Sequence, residues 1–161
     1  MKKHILVLSD SHGINALMIR IIEKEAVDLV VHAGDYCISI DTMKRYFHYF
    51  VDGNNDYDGK NMEVFTYAGF KFLLIHGDRF WSWNENKWYD RLRQLGKENQ
   101  ADVVIFGHSH KDLIDTSKQP YLLNPGSISL PRNNKLQKSY ALIEIDNQNI
   151  HFQIKYVKKL N

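Results

Sequence analysis

The chain has 161 residues, 43% of them hydrophobic and 25% charged, with a formal net charge of +2. That length suits one domain, 1–161, with a real core, and the near-balanced charge argues against a polybasic protein that tracks nucleic acid or coats a membrane. The one cysteine, Cys37, can form no internal disulfide, which fits a reducing cytoplasmic compartment, and no apolar run approaches bilayer length.

The N-terminus is basic and then apolar, but the run from Ile5 to Leu8 stops at Ser9-Asp10, too short for the apolar region of a signal peptide. It reads instead as a strand buried on both faces. Leu17, Met18, Ile21 and Ile22 form a helical stripe that fades at Glu23-Lys24-Glu25. Leu29 to Val31 is a second buried strand, a weaker helix covers Thr42 to Phe47, and Tyr49 to Val51 is a third strand. Strand, helix, strand, helix, strand predicts parallel pairing with right-handed crossovers. Val64 to Tyr67 and Lys71 to Ile75 read as a hairpin around Ala68-Gly69. Asn86 to Glu98 is helical, Val103 to Phe106 is a strand, and the helical signal then disappears. Leu113 to Thr116, Tyr121 to Leu123, Tyr140 to Ile145 and Ile150 to Val157 read as strands in a more antiparallel second half. The expected fold class is α/β, with two packed sheets and helices outside.

Strand after strand ends in residues that can bind metal: Asp10-Ser11-His12, Gly34-Asp35, Gly53-Asn54-Asn55-Asp56, His76-Gly77 and Gly107-His108-Ser109-His110. Sites in open α/β sheets form at the carboxyl ends of strands, where loops converge over a rigid edge. Asp, Asn and His suit hard and borderline divalent cations. One-residue spacing puts both side chains of Asp10 and His12, and of His108 and His110, on one face of extended backbone. Taken singly, each motif has a plainer explanation. Asp10 fits a helix N-cap, Gly34-Asp35 a turn, and Asn54-Asn55-Asp56 a loop. The ordered set is what points to a metal centre.

These motifs, together with Asn124-Pro125-Gly126-Ser127 and Pro131-Arg132, resemble the calcineurin-like metallophosphoesterase superfamily, and within it the small cap-less phosphodiesterase branch. The likeness covers nearly the whole chain. It implies a sandwich of two mixed β-sheets flanked by α-helices. It also implies two divalent ions per chain, with manganese first and nickel, iron or zinc as alternatives. Asp10, His12, Asp35 and His110 would hold the first ion, and Asp35, Asn54, His76 and His108 the second. The implied reaction is hydrolysis of a small phosphodiester by metal-bridging hydroxide.

The sequence departs from the wider family in two places. Asn55 stands where many members have a histidine thought to act as general acid; an amide can donate a hydrogen bond but not a proton near pH 7. Aryl esters, whose leaving groups are already acidic, are therefore expected to outperform alkyl esters. Asp78 stands where the branch often has a second histidine after His76-Gly77. Asn55 and Arg132 are the candidate phosphate contacts, Asn55 the better of the two, since an exposed loop is the simpler explanation of Arg132.

Trp81, Trp83 and Trp88, with Phe80 and Tyr89, can stack on an aryl or base group, or can form core or a subunit interface. His4, His32, His48 and His151 are read as structural or surface residues, His32 being near enough to Asp35 to support it. Cys37 is expected to be a small buried residue, and Lys155, Lys158 and Lys159 a solvated face. A non-catalytic interaction scaffold on the same fold and a phosphomonoesterase are the competing functions. Long nucleic acid is disfavoured, no membrane partner is expected, and a homo-oligomer is possible.

Overall fold

The short apolar runs form strands whose alternate side chains enter different layers. In β1 (Lys2–Leu8), Ile5 and Val7 face a second sheet while Leu6 and Leu8 face helices, and all four are fully buried. Each such side chain contributes about 1.5–3 kcal/mol, which is why the run carries no polar alternation. A computed structural model describes residues 1–158; Lys159 lies outside the described residues.

β2 (Leu29–His32) and β3 (Tyr49–Phe50) extend β1 in parallel on one side. β9 (Ser139–Asp146) and β10 (Asn149–Tyr156) extend it antiparallel on the other, giving the order β10-β9-β1-β2-β3. The second sheet contains β4 (Met62–Tyr67), β5 (Phe70–Ile75), β6 (Val103–Ile105), β7 (Asp112–Asp115) and β8 (Tyr121–Pro125). Its order is β4-β5-β6-β8-β7, with a parallel centre, β5-β6-β8, between antiparallel edges.

Three apolar clusters separate the layers. Ile5, Val7, Val31, Phe72, Leu74 and Ile143 fill the space between the sheets. Leu6, Leu8, Met18 and Met43 pack α1 (Asn15–Glu25) and α2 (Ile40–Tyr46) on the first sheet. Leu73, Trp88, Leu92 and Phe106 pack α3 (Glu85–Glu98) on the second. The expected sandwich of two mixed sheets flanked by helices is the observed one.

Local signals fall where the sequence placed them, with corrections. Ala68 and Gly69 both take positive φ, 51° and 86°, as a tight hairpin needs. Ser39 and Asn84 cap α2 and α3 through their side chains, each accepting from a backbone N–H at 3.2 Å. Asp10 is not a cap; α1 begins after Ile14 without a side-chain cap. Lys155 is not simply solvated: its ammonium pairs with Glu25 at 2.9 Å, and the Tyr140 hydroxyl donates to the same carboxylate. Cys37 is exposed rather than buried, because its loop runs over the sheet edge.

Candidate metal centre

Every candidate ligand lies past the C-terminal end of a strand: Asp10 and His12 after β1, Asp35 after β2, Asn54 after β3, His76 after β5, and His108 and His110 after β6. Backbone bonds lock these ends together. Asp10 N–H donates to Gly34 O at 2.9 Å and His12 N–H to Asp35 O at 3.0 Å. Within the second sheet, Gly107 N–H donates to His76 O at 3.1 Å.

The loops take unusual backbone to achieve this. Asp10, His12, Asp35, His108 and His110 all have positive φ, between 45° and 71°. A non-glycine residue there costs on the order of 1 kcal/mol, and persists only where surrounding contacts over-determine it. Gly34 and Gly53 are needed for space. A Cβ on Gly34 would sit 2.7 Å from His76 Nδ1, and one on Gly53 would sit 2.2 Å from Asp35 Oδ1.

Two groups of donor atoms result. Oxygen and nitrogen atoms of Asp10, His12, Asp35 and His110 lie within 4.8 Å of one another. His12 Nε2 and His110 Nε2 approach to 3.3 Å, and His110 Nε2 lies 3.2 Å from Asp10 Oδ1. His110 Nδ1 is 2.6 Å from the Leu130 carbonyl and so carries a proton, which turns Nε2 toward the other donor atoms. Asp10 Oδ1 is buried with no hydrogen-bond partner. A buried carboxylate oxygen facing unprotonated imidazoles is stable only with a shared cation or proton.

The second group lies beside it. Asn54 Oδ1 is 3.0 Å from His76 Nε2 and 3.3 Å from His108 Nδ1. His76 Nδ1 lies 2.8 Å from Ala33 O, which turns its Nε2 toward the centre. Asp35 Oδ2 stands between the groups, 3.7 Å from His12 Nε2 and 3.4 Å from His76 Nε2. The donor set fits divalent cations: it holds no thiolate, it contains an orphaned buried carboxylate oxygen, and its imidazoles are oriented by carbonyls behind them.

Electrostatics agree. Burial opposes charge on His76, yet Asp35 and Asp10 outweigh it and lift its pKa to about 9. Burial works to raise the Asp35 carboxyl, but His76 and the Asn55 donors hold it well below the usual carboxylate range. Asp10 is lowered in the same way against its burial, by His110 and His76. His32 is the opposite case. Burial drops it to about 3, so it is neutral; it accepts from Gly34 N–H at 3.0 Å and bonds Ser11 Oγ at 2.8 Å.

The outer contacts were only partly legible. Asp56 is not a free loop carboxylate: it accepts from the N–H groups of Asp35, Tyr36, Cys37 and Gly53, clasping two loops. Asn124 is buried, donates to Gly107 O and Ser109 Oγ, and accepts from Gly126 N–H, so the Asn-Pro-Gly-Ser motif braces the histidine loop. Ser127 and Ser129 donate to Asp10 O at 2.7 and 2.8 Å, and Ser9 donates to Asp10 Oδ2 at 2.6 Å. Hydroxyls this common gave no signal in the sequence.

Asn55 is exposed, but its side-chain amide donates to Asp35 Oδ2 at 3.0 Å and its backbone N–H to Asp35 Oδ1 at 2.9 Å. Arg132 is exposed, its backbone N–H bonded to His110 O at 2.9 Å. Asp78 opens a short 3-10 turn, Asp78–Phe80, beside a cavity of about 480 Å³ that also touches Asn54 and Arg79. The tryptophans divide: Trp88 is core, Trp81 half-buried and Trp83 92% exposed. Among the described residues no helix is long and apolar enough to cross a membrane.

Comparison with known proteins agrees with this geometry. A probable metallophosphoesterase of Mycoplasma genitalium, MG207, is 34% identical over 153 residues, covering 92% of this chain and 94% of its own. The Escherichia coli K12 phosphodiesterase YfcE is 29% identical over 76 residues, 47% of this chain and 35% of its own. The crystal structure of a predicted phosphoesterase from Streptococcus pneumoniae TIGR4 superposes with a TM-score of 0.85 at 28% identity, covering 97% of this chain and 90% of that one. A model of the calcineurin-like phosphoesterase superfamily domain matches residues 3–148. The chain, whose candidate ligands gather at the C-terminal strand ends of both sheets, belongs to the calcineurin-like phosphoesterase superfamily.

Proposed function

We propose that this chain, acting as a single cytoplasmic domain over 1–161, hydrolyses small phosphodiesters at a centre for two divalent cations. One observation carries the reading: Asp35 stands between two sets of donor atoms, from Asp10, His12 and His110 on one side and from Asn54, His76 and His108 on the other. Divalent cations, when bound, neutralise phosphate charge and lower the pKa of water to supply a nucleophile near neutral pH. Mixed imidazole, carboxylate and amide donors without thiolate accept manganese, nickel, iron or zinc, and manganese is the metal we assign first.

The chain's own residues do the rest. Ala33 O and Leu130 O hold His76 and His110 with Nε2 toward the centre. Ser9 and His108 N–H fix one oxygen of Asp10, leaving the other free for a ligand. Asn55 fixes Asp35 through both carboxylate oxygens, and its exposed edge is a candidate phosphate contact together with Arg132. An amide supplies no proton to a leaving alkoxide, so acidic leaving groups are favoured. The phosphodiesterase name of YfcE supports diester over monoester substrates, and a net charge of +2 supports small substrates over polymers.

The test is hydrolysis of an aryl phosphodiester by metal-stripped protein titrated with Mn, Ni, Zn and Mg, beside Asp35→Asn. Activity restored by a transition metal in the wild type but not in the variant is expected. Protein that binds the metal and cleaves no diester would refute the enzyme reading and favour an interaction scaffold.

A further inference from the structure

Trp83 is 92% exposed, an unusual position for the largest apolar side chain, and it is linked through Trp81 to the candidate metal centre. Its ring meets Trp81 edge to face at 5.9 Å, and Trp81 meets His108 edge to face at 5.2 Å. His108 is 3.3 Å from Asn54 Oδ1, within the second ligand group. The rings therefore connect, contact by contact, a proposed ligand with solvent.

That line is rigid at its base. Trp88 is fully buried, donates its indole N–H to Gly77 O at 2.9 Å, and packs against both Trp81 and His108. Arg91 donates to the carbonyls of Phe80 and Trp81 at 3.2 and 3.1 Å and fixes the loop backbone. A preorganised aromatic surface loses little entropy when a planar group stacks on it.

We propose that Trp81 and Trp83 form the subsite for an aromatic leaving group, making aryl phosphodiesters the substrate class of this centre. The inference rests on the phosphodiesterase reading above. A separate observation points the same way: Asn55 is bonded to Asp35 and supplies no proton, so the centre suits esters whose leaving group departs unprotonated. The balance is simple. Water forms a bond to phosphorus and loses its proton to solvent, while the phosphorus–oxygen bond to the aryl group breaks. The phenolate takes the electron pair. The alternative place for that ring, the cavity beside Asn54, is lined by Asp52, Asp56 and Asp78 against one cation, Arg79, a net negative balance that disfavours a departing anion.

The experiment compares phenyl phosphate with ethyl phosphate as ligands, by calorimetry on the Mn-supplemented protein, and aryl with alkyl diesters as substrates. Trp83→Ala is expected to weaken phenyl phosphate binding about tenfold, the usual worth of one stacked ring, and to raise KM for aryl diesters with kcat little changed. Trp83→Phe, which keeps a ring, should restore most of the loss. Trp81→Leu should act in the same direction, with a thermal melt to verify folding. The proposal is overturned if Trp83→Ala retains the full phenyl preference, if neither ester binds, or if Tyr57→Ala in the cavity abolishes the preference instead. Trp83-dependent phenyl binding without hydrolysis of any diester would leave the subsite standing and remove the hydrolase reading.

Discussion

Gly53→Ala is the sharpest test of how the centre is built. The new Cβ would sit 2.2 Å from Asp35 Oδ1, 2.7 Å from its Cγ and 2.5 Å from its backbone nitrogen. Ordinary contact begins at about 3.4 Å, so something must move by roughly 1 Å. Asp35 cannot shift its backbone cheaply, because its N–H is held by Asp56 at 2.7 Å and its φ is already 58°. Rotation of the carboxylate would break the two Asn55 bonds, each worth about 1.5–3 kcal/mol to a charged acceptor. A loss of about 3 kcal/mol is expected, which lowers Tm by about 6–12 °C in a chain of this size. Metal affinity should fall at least tenfold, since Asp35 faces both donor groups. Calorimetric titration with Mn and a thermal melt read the two effects separately. Gly69→Ala is the control: its φ of 86° makes the substitution strained, but nothing lies within 4 Å, so stability should fall while metal affinity stays unchanged. Gly53→Ala protein that binds Mn like the wild type would refute the argument that this loop packing positions Asp35.

Asn124→Ala removes three hydrogen bonds at a buried position and leaves Gly126 N–H unpaired, Gly107 O keeping only the Ser109 N–H, so a loss of about 3 kcal/mol is expected in urea denaturation. A change below about 1 kcal/mol would mean that the motif does not brace the histidine loop. Manganese at a hundred times its Kd should raise stability by about 2.7 kcal/mol, visible as a higher Tm that chelator reverses and that His110→Ala lacks. Asp115 provides a pH test away from the centre. Ser117 and Arg93 hold its pKa at about 2, below the unfolded value of about 3.9. Its contribution is therefore complete above pH 4 and lost as pH falls toward 2. The stability gap between wild type and Asp115→Asn should narrow over that window, and a constant gap from pH 5 to pH 2.5 would contradict the assignment.

The sequence by itself determined the strands, the helices and the identity of the candidate ligands. The run Ile5 to Leu8 has no polar alternation because both faces are covered, and that composition is readable without coordinates. One-residue spacing in Asp10-x-His12 and His108-x-His110 was readable too, although the positive φ at all four means that loop conformation, not extended pleat, aims these side chains. Only the tertiary structure decided which strands pair. β1 lies between β2 and β9, and the β9 partner is contributed by residues more than a hundred positions away, which no local pattern encodes. The same holds for side chains whose role depends on a distant partner. Asp56 reads as a loop residue until it is seen to accept four backbone N–H groups, and Asn124 as a turn residue until it meets Gly107. Trp83 and Trp88 are the same residue type five positions apart, one in solvent and one in the core. Residue type sets what a side chain can bind, but burial and hydrogen bonding are properties of the packed chain.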